Sequence, residues 1–180
     1  AVGASNQYAP YTAAGLKGKD QVVGVADTGL DEYSCYFHDA NGRVERSLYH
    51  SPVTDTGRRK VVQYTRLPEA DDTDLTNGHG THVAGTVAGN NGESIQGDGI
   101  MNGVAPEAKI AFMDLGTPRG ALYAPGINEA YPNMRKAGAV IYTNSWGATF
   151  SGSGYYVGKS MDAYLYENMD SILFFANGNS

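Results

Sequence analysis

Val22-Val23-Gly24-Val25-Ala26-Asp27-Thr28-Gly29 is a short apolar run that ends on a carboxylate and then turns. A Val-rich run bounded by turn residues predicts a buried strand over residues 21–26. Downstream stands Asn77-Gly78-His79-Gly80-Thr81-His82-Val83-Ala84-Gly85, a glycine-flanked histidine opening a helix expected to run from His79 to about Ala88. Working outward, residues 43–50 alternate and read as a second strand, with a short strand at 61–64. Further strands are expected at 108–115, 139–144 and 171–176. Helices are expected at 126–136, with Gly138 near the C-cap, and at 155–168, where Met161, Tyr164, Leu165 and Met169 recur at helical spacing. Alternating strands and helices predict an α/β fold, a mostly parallel sheet flanked by helices. Residues 1–20 are small and polar and read as an N-terminal arm, with 21–180 as the body.

Composition narrows the function classes. The chain has 180 residues, 41% hydrophobic and 18% charged, which suits one domain with a real core. Its net charge of -6 argues against nucleic acid as a partner, because phosphate binding needs clustered Lys and Arg. The one basic cluster, Arg58-Arg59-Lys60, reads as a solvated turn. No run of eighteen apolar residues occurs, so no membrane span is expected. Cys35 is alone and reads as a buried structural thiol, or else as half of a bridge to another chain. The 24 glycines imply tight turns, and the 13 tyrosines suit the surface of a secreted protein. Ala1-Val2-Gly3-Ala4-Ser5 has neither an initiator Met nor a signal-peptide pattern and reads as a processed end.

The chemistry gathers at predicted strand ends, where α/β sheets place their sites. Asp27, Asn144-Ser145 and Asn177-Gly178-Asn179 each follow a strand. His79, uncovered by its glycine neighbours, can act as a base if a carboxylate holds its tautomer and stabilises its protonated form, and Asp27 can do both. Each residue also has a plainer use: a capping histidine, an Asx-turn aspartate, an Asn-Gly turn. His79 and His82 at helical spacing could share a metal, but no acidic residue lies between them as in the zinc-protease motif. Ser145 lacks the Gly-x-Ser-x-Gly setting of a hydrolase nucleophile. Ser145-Trp146-Gly147 reads either as an extended edge for a substrate strand or as a core tryptophan beside a turn. An amide after 171–176 could donate to a developing oxyanion.

In their order, Asp27-Thr28-Gly29, His79-Gly80-Thr81-His82-Val83-Ala84-Gly85, Gly103-Val104-Ala105-Pro106, Ser145-Trp146-Gly147 and Gly178-Asn179 resemble the motifs of subtilisin-like serine proteases, the subtilases. The resemblance runs from about residue 20 to residue 180 and covers the N-terminal portion of such a catalytic domain. It implies Asp27 as the triad aspartate, His79 rather than His82 as general base, and Asn179 as the oxyanion-hole asparagine. It implies Ser145, Trp146 and Gly147 as one wall of the substrate cleft, with Gly120 near the opposing edge. It also implies secretion and a polypeptide substrate.

The chain departs from the family's pattern in one decisive respect. Nothing in it matches the Gly-Thr-Ser-Met-Ala segment that carries the nucleophile. The expected function is therefore that of a serine endopeptidase whose serine comes from residues beyond this chain, on a second chain or a further C-terminal segment. By itself this segment is expected to be inactive. The alternative is a non-catalytic peptide-binding scaffold. Residues 34–76 are longer than in the simplest bacterial members, and Phe37-His38-Asp39 is similar to the larger, multi-domain subtilases. No cofactor is required for the chemistry. Calcium is a candidate structural ion, because residues 90–99 are similar to a calcium-binding region and offer Asn91, Glu93 and Asp98 as oxygen ligands, unless these are simply hydrated loop residues.

Overall fold

A computed structural model describes residues 10–70, 73–74, 78–92, 102–118, 122–123, 127–147 and 151–179. The elements run α1 (Pro10–Ala13), β1 (Val22–Asp27), β2 (Arg46–Leu48), β3 (Val61–Arg66), α2 (His79–Ala88), β4 (Lys109–Asp114), α3 (Ile127–Lys136), β5 (Ala139–Asn144), α4 (Ser151–Glu167) and β6 (Ile172–Phe175). The strands form one sheet in the order β2-β3-β4-β1-β5-β6, and every neighbouring pair is parallel. This is the α/β architecture expected from the alternation of strands and helices. The chain fills the β2-β3-β4 side of β1 before crossing to β5 and β6, so the strand order reverses at β1. A crevice opens beyond the carboxyl ends of the strands at such a reversal.

The unbroken apolar run of β1 has a physical cause: the strand is covered on both faces. Val23 and Val25 face a core built with Ala84 and Ala88 of α2 and Ile110 and Phe112 of β4. Ala26 belongs to the opposite core, with Met113, Tyr131, Met134 and Tyr142. Gly24 leaves room for Tyr142, whose ring carbon would lie 2.5 Å from a Cβ placed there. Tyr131, Tyr142 and Tyr164 pack ring to ring with centroids 5.0–6.0 Å apart, and the Tyr142 and Tyr164 hydroxyls share a hydrogen bond of 2.9 Å. Part of the tyrosine content thus serves the core rather than the surface.

Several boundaries move. β2 shrinks to three residues, β3 extends to Arg66, and α4 begins at Ser151 rather than at 155. Two readings are corrected. Cys35 is exposed, not buried. Arg58-Arg59-Lys60 is a solvated bend only in part: Arg59 is exposed, but Lys60 is buried. Arg59 donates to the carbonyls of His38, Asn90 and Tyr36, and Lys60 is buried with Nζ on the carbonyls of Pro106 (2.9 Å) and Ala108 (2.5 Å). The Lys60 bonds tie the amino end of β3 to the loop that precedes β4, and those of Arg59 tie it to the segments that follow β1 and α2.

One part of the sheet is bare. The register pairs Ile141 with Ile172 and Thr143 with Phe174, and continues Val23 and Val25 of β1 onto the same face. That is the face α2 covers on β1 and β4. On β5 and β6, Ile141, Ile172 and Phe174 are 37%, 52% and 56% exposed.

Burial first, and the neighbouring Arg59 charge next, lower the Lys60 pKa from 10.5 to about 7. Between those values the unfolded chain holds a proton that the folded chain has released, so stability rises with pH across that window. Below about pH 7 both states are protonated and the full penalty of burying the charge remains. Urea unfolding of the intact protein from pH 7 to 9.5 should show stability rising with pH. Lys60→Met should flatten that slope, and an unchanged slope would refute the assignment.

Candidate active site

Asp27 is the last residue of the central strand, and its side chain is 0% exposed. A carboxylate so placed is costly unless it is paired. Its Oδ1 accepts the Thr28 N–H at 2.8 Å and lies 2.7 Å from His79 Nδ1. Among the described residues Oδ2 is buried without a hydrogen bond, so Oδ1 carries the whole compensation. This contact sets the imidazole tautomer: the proton sits on Nδ1, and Nε2 is the basic nitrogen. The His79 side chain is 46% exposed. A fully buried acid behind a half-exposed base is an arrangement suited to moving a proton at the surface of the crevice.

The helix start that presents His79 is built by neighbours rather than by its own cap. Gly78 occupies the N-cap position in the left-handed conformation and offers no side chain. Thr28 Oγ1 instead accepts the Gly80 N–H at 2.9 Å and donates to Asp74 Oδ1 at 2.8 Å. Asp74 Oδ2 accepts the Thr81 N–H at 2.7 Å. The residue after the catalytic candidate Asp27 therefore caps the helix that begins with His79. Asp74 is buried and places a carboxylate at the positive end of the helix, where a negative charge is favoured.

Asp74 was not singled out from the sequence. Its signal was weak: one acid among several in a polar stretch, five positions before His79 and outside the usual N-cap position. The close packing has the same purpose as the caps. A Cβ on Gly80 would lie 2.2 Å from the Gly29 carbonyl oxygen and 3.1 Å from the Asp27 Cβ. Helix and strand end can meet this closely only with glycine there.

The other candidates lie along the same rim. Ser145, Trp146 and Gly147 follow β5 directly. The Trp146 indole N–H donates to the Ala26 carbonyl at 2.9 Å, and its ring meets Phe175 edge-on at 5.5 Å. The tryptophan therefore packs inward, leaving the backbone of 145–147 without a backbone hydrogen bond to another described residue. Asn179 lies four residues beyond β6 and is exposed. β6 stands two strands from β1, roughly 10 Å at usual strand spacing. Asn179 makes no hydrogen bond among the described residues. Gly120 lies outside the described residues. His82 faces a groove of about 540 Å³ on the flank of α2, lined also by Asp31, Phe37 and Thr86. Among the described residues no group of three or more His, Cys, Asp or Glu could hold a metal ion. Asn91 is buried, and its N–H is on Asn102 Oδ1. Glu93 and Asp98 lie outside the described residues.

Residues 18–180 match the profile of the Subtilase family. The chain belongs to the subtilase family. It is 38% identical over 173 residues to the Serine protease/ABC transporter B family protein tagB of Dictyostelium discoideum, a match over 92% of this chain and 9% of that protein. It is 36% identical over 172 residues to tagD of the same organism, with the same coverage. The chain thus spans about a tenth of the length of these relatives. Its fold is similar to the CspB protease of Clostridium perfringens, with TM-score 0.65 and 20% identity over 97% of this chain and 40% of that one. It is also similar to the psychrophilic subtilisin-like protease Apa1 from Pseudoalteromonas sp. AS-11, with TM-score 0.58 and 21% identity over 88% and 31%.

The two glycines flanking His79 should respond differently to alanine. At Gly78 nothing lies within 4 Å of an added Cβ, so Gly78→Ala meets only left-handed backbone strain of about 1–2 kcal/mol. Gly80→Ala must push the Gly29 carbonyl away and should lower stability by at least about 3 kcal/mol. Equal losses in thermal or urea unfolding would contradict this reading of the packing.

Proposed function

We propose that this chain is the N-terminal part of the catalytic domain of a serine endopeptidase working through an Asp-His-Ser charge system. The observation that carries the reading is the 2.7 Å contact between a fully buried Asp27 and a half-exposed His79 at the carboxyl end of the central strand. In this proposal a serine from beyond these residues gives its proton to His79 Nε2, and its oxygen attacks the peptide carbonyl. Asp27 stabilises the imidazolium, and an amide N–H of Asn179 stabilises the oxyanion. His79 then returns the proton to the leaving amine. Finally it takes a proton from the water that hydrolyses the acyl-enzyme.

The bare face of β5 and β6 supports a nucleophile supplied from outside. Ile141, Ile172 and Phe174 form an apolar strip beside α2, on the face where α2 already lies. A second helix laid over that strip would cover it and bring its own N-terminus to the rim that holds His79. The polypeptide supplying that helix is either a further segment of the same protein or a second chain. Backbone at 145–147 and around Gly120 would flank an extended substrate. The chemistry needs no cofactor; a calcium ion near Asn91 would have a structural part, and the working compartment is extracellular.

The test uses the intact protein. A fluorophosphonate probe should label its serine, and His79→Ala should abolish both labelling and peptide hydrolysis. His79→Gln, whose amide can still donate to Asp27, should fold as well as the wild type and be equally inactive. Asn179→Ala should lower kcat about a hundred- to thousandfold, the size known for removing such a donor in subtilisin. Near-normal turnover in His79→Gln would overturn the proposal. Saturable peptide binding with no labelling would favour the non-catalytic scaffold.

A further inference from the structure

The end of β5 is held by side chains in two directions. Trp146 reaches back to β1: its indole N–H is on the carbonyl of Ala26, one residue before Asp27, and its ring lies edge-on to Phe175. Asn144 reaches the other way, to β6. Its Nδ2 donates to the Phe174 carbonyl at 3.2 Å, and its own carbonyl accepts the Ala176 N–H at 3.0 Å. One residue thus holds β6 on both sides of Phe175, with its side chain and its main chain. Among the described residues the Ala176 bond is the last backbone hydrogen bond before Asn179. Residues 174–179 are exposed, and Gly178 has a φ of 96°.

Stability alone does not call for an asparagine in that place. Asn144 is 1% exposed and stands on the same face of β5 as Tyr142, which packs into a core with Ala26 and Tyr131. The Tyr131 hydroxyl of α3 interacts with the Asn144 side chain from that core. A leucine of similar size would be buried as well and would leave no polar atoms to satisfy, whereas each buried polar group without a partner costs about 1–3 kcal/mol. What the amide adds is a directed bond to β6 that apolar packing cannot make. Its orientation is determined, because only the NH2 end can donate to the Phe174 carbonyl.

We propose that Asn144 is a positioning residue for the oxyanion donor. It clamps the carboxyl end of β6, so that residues 176–179 leave the sheet in one direction and carry Asn179 to a fixed place relative to Asp27. The inference rests on the endopeptidase reading above. Trp146 ties the same strand end to the residue before Asp27, so β5 is the common reference for both sides of the site. A donor to an oxyanion acts only where the charge develops, and a misplacement of about 1 Å can remove most of its effect. Asn144 itself touches neither substrate nor reacting atoms. Loosening the clamp should therefore lower kcat and leave KM alone.

The test is the intact protein carrying Asn144→Leu, alone and together with Asn179→Ala, with active sites counted by fluorophosphonate so that only folded enzyme enters the rates. Asn144→Leu should lower kcat on a peptide substrate about tenfold with KM unchanged. In the Asn179→Ala background the same change should cost less than about twofold, because no donor remains to be placed. A merely structural role would lower the count of active sites or act equally in both backgrounds. Where Asn144→Leu gives no folded enzyme, Asn144→Ser, whose hydroxyl lacks the reach of the amide, is measured in its place. Unchanged kcat, or the same loss in both backgrounds, would overturn the inference. Should the wild type hydrolyse nothing, or Asn179→Ala prove harmless, the reading it rests on fails, and the clamp is read from hydrogen exchange of the amides of residues 176–179. Exchange there at least about tenfold faster in the variant, with α3 unchanged, would then support the clamp, and equal exchange would refute it.

Discussion

The arrangement depends on one constraint: a carboxylate with no solvent exposure stands at the carboxyl end of the middle strand. Asp27 has a strand on each side and α2 above it. It can stay ionised only if donors are held against it. One donor is the N–H of the next residue, fixed by the turn. The other is His79, which must come from elsewhere in the chain. Much of the local structure can be understood as the means of delivering that imidazole. Glycine at 80 lets helix and strand end touch, and Thr28 and Asp74 supply the caps that α2 lacks of its own. Burying the acid and positioning the base are therefore parts of one packing problem.

The electrostatics at this end of the sheet follow from the same geometry. Asp27, Asp74 and Asp114 are all buried near the start of α2 or the end of β4. Bringing three carboxylates together would be prohibitive if each relied on the others' partners. They do not. Asp27 has His79 and the Thr28 amide, Asp74 has the Thr28 hydroxyl and the Thr81 amide, and Asp114 has Tyr64 and the Gly116 amide. Neutral donors hold two of the three, and the imidazole is the group able to take up a proton among them.

Much of this was legible in the sequence, for identifiable reasons. β1 could be read directly because a parallel strand covered on both faces leaves an unbroken apolar run. Asp27 and His79 stood out because glycine and turn residues flank them. Lys60 was misread because charge in sequence was taken as exposure. Nothing in Arg58-Arg59-Lys60 shows that carbonyls 46 and 48 residues further on would converge on one amine. Asp74, Tyr64 and Asp114 were missed for the same cause. Their meaning lies in contacts of long sequence separation, and no local spacing encodes a tyrosine whose hydroxyl meets a carboxylate 50 positions away. Trp146 was open between two uses. The structure turns its ring inward and leaves its backbone at the rim, so both uses draw on different atoms of one residue.

The bare strip on β5 and β6 carries the argument one step further. A parallel sheet is stable in water only when both faces are covered. Here α2 covers that face over β1 and β4, while Ile141, Ile172 and Phe174 remain open beside it. On the opposite face α3 and α4 pack against each other, and α3 lies on β1, β4 and β5. The asymmetry falls on the same face as α2, the helix that begins with His79. In the proposed reading a single further helix would both cover the apolar surface and deliver the nucleophile. The stability of β5 and β6 and the activity of His79 would then depend on the same contact.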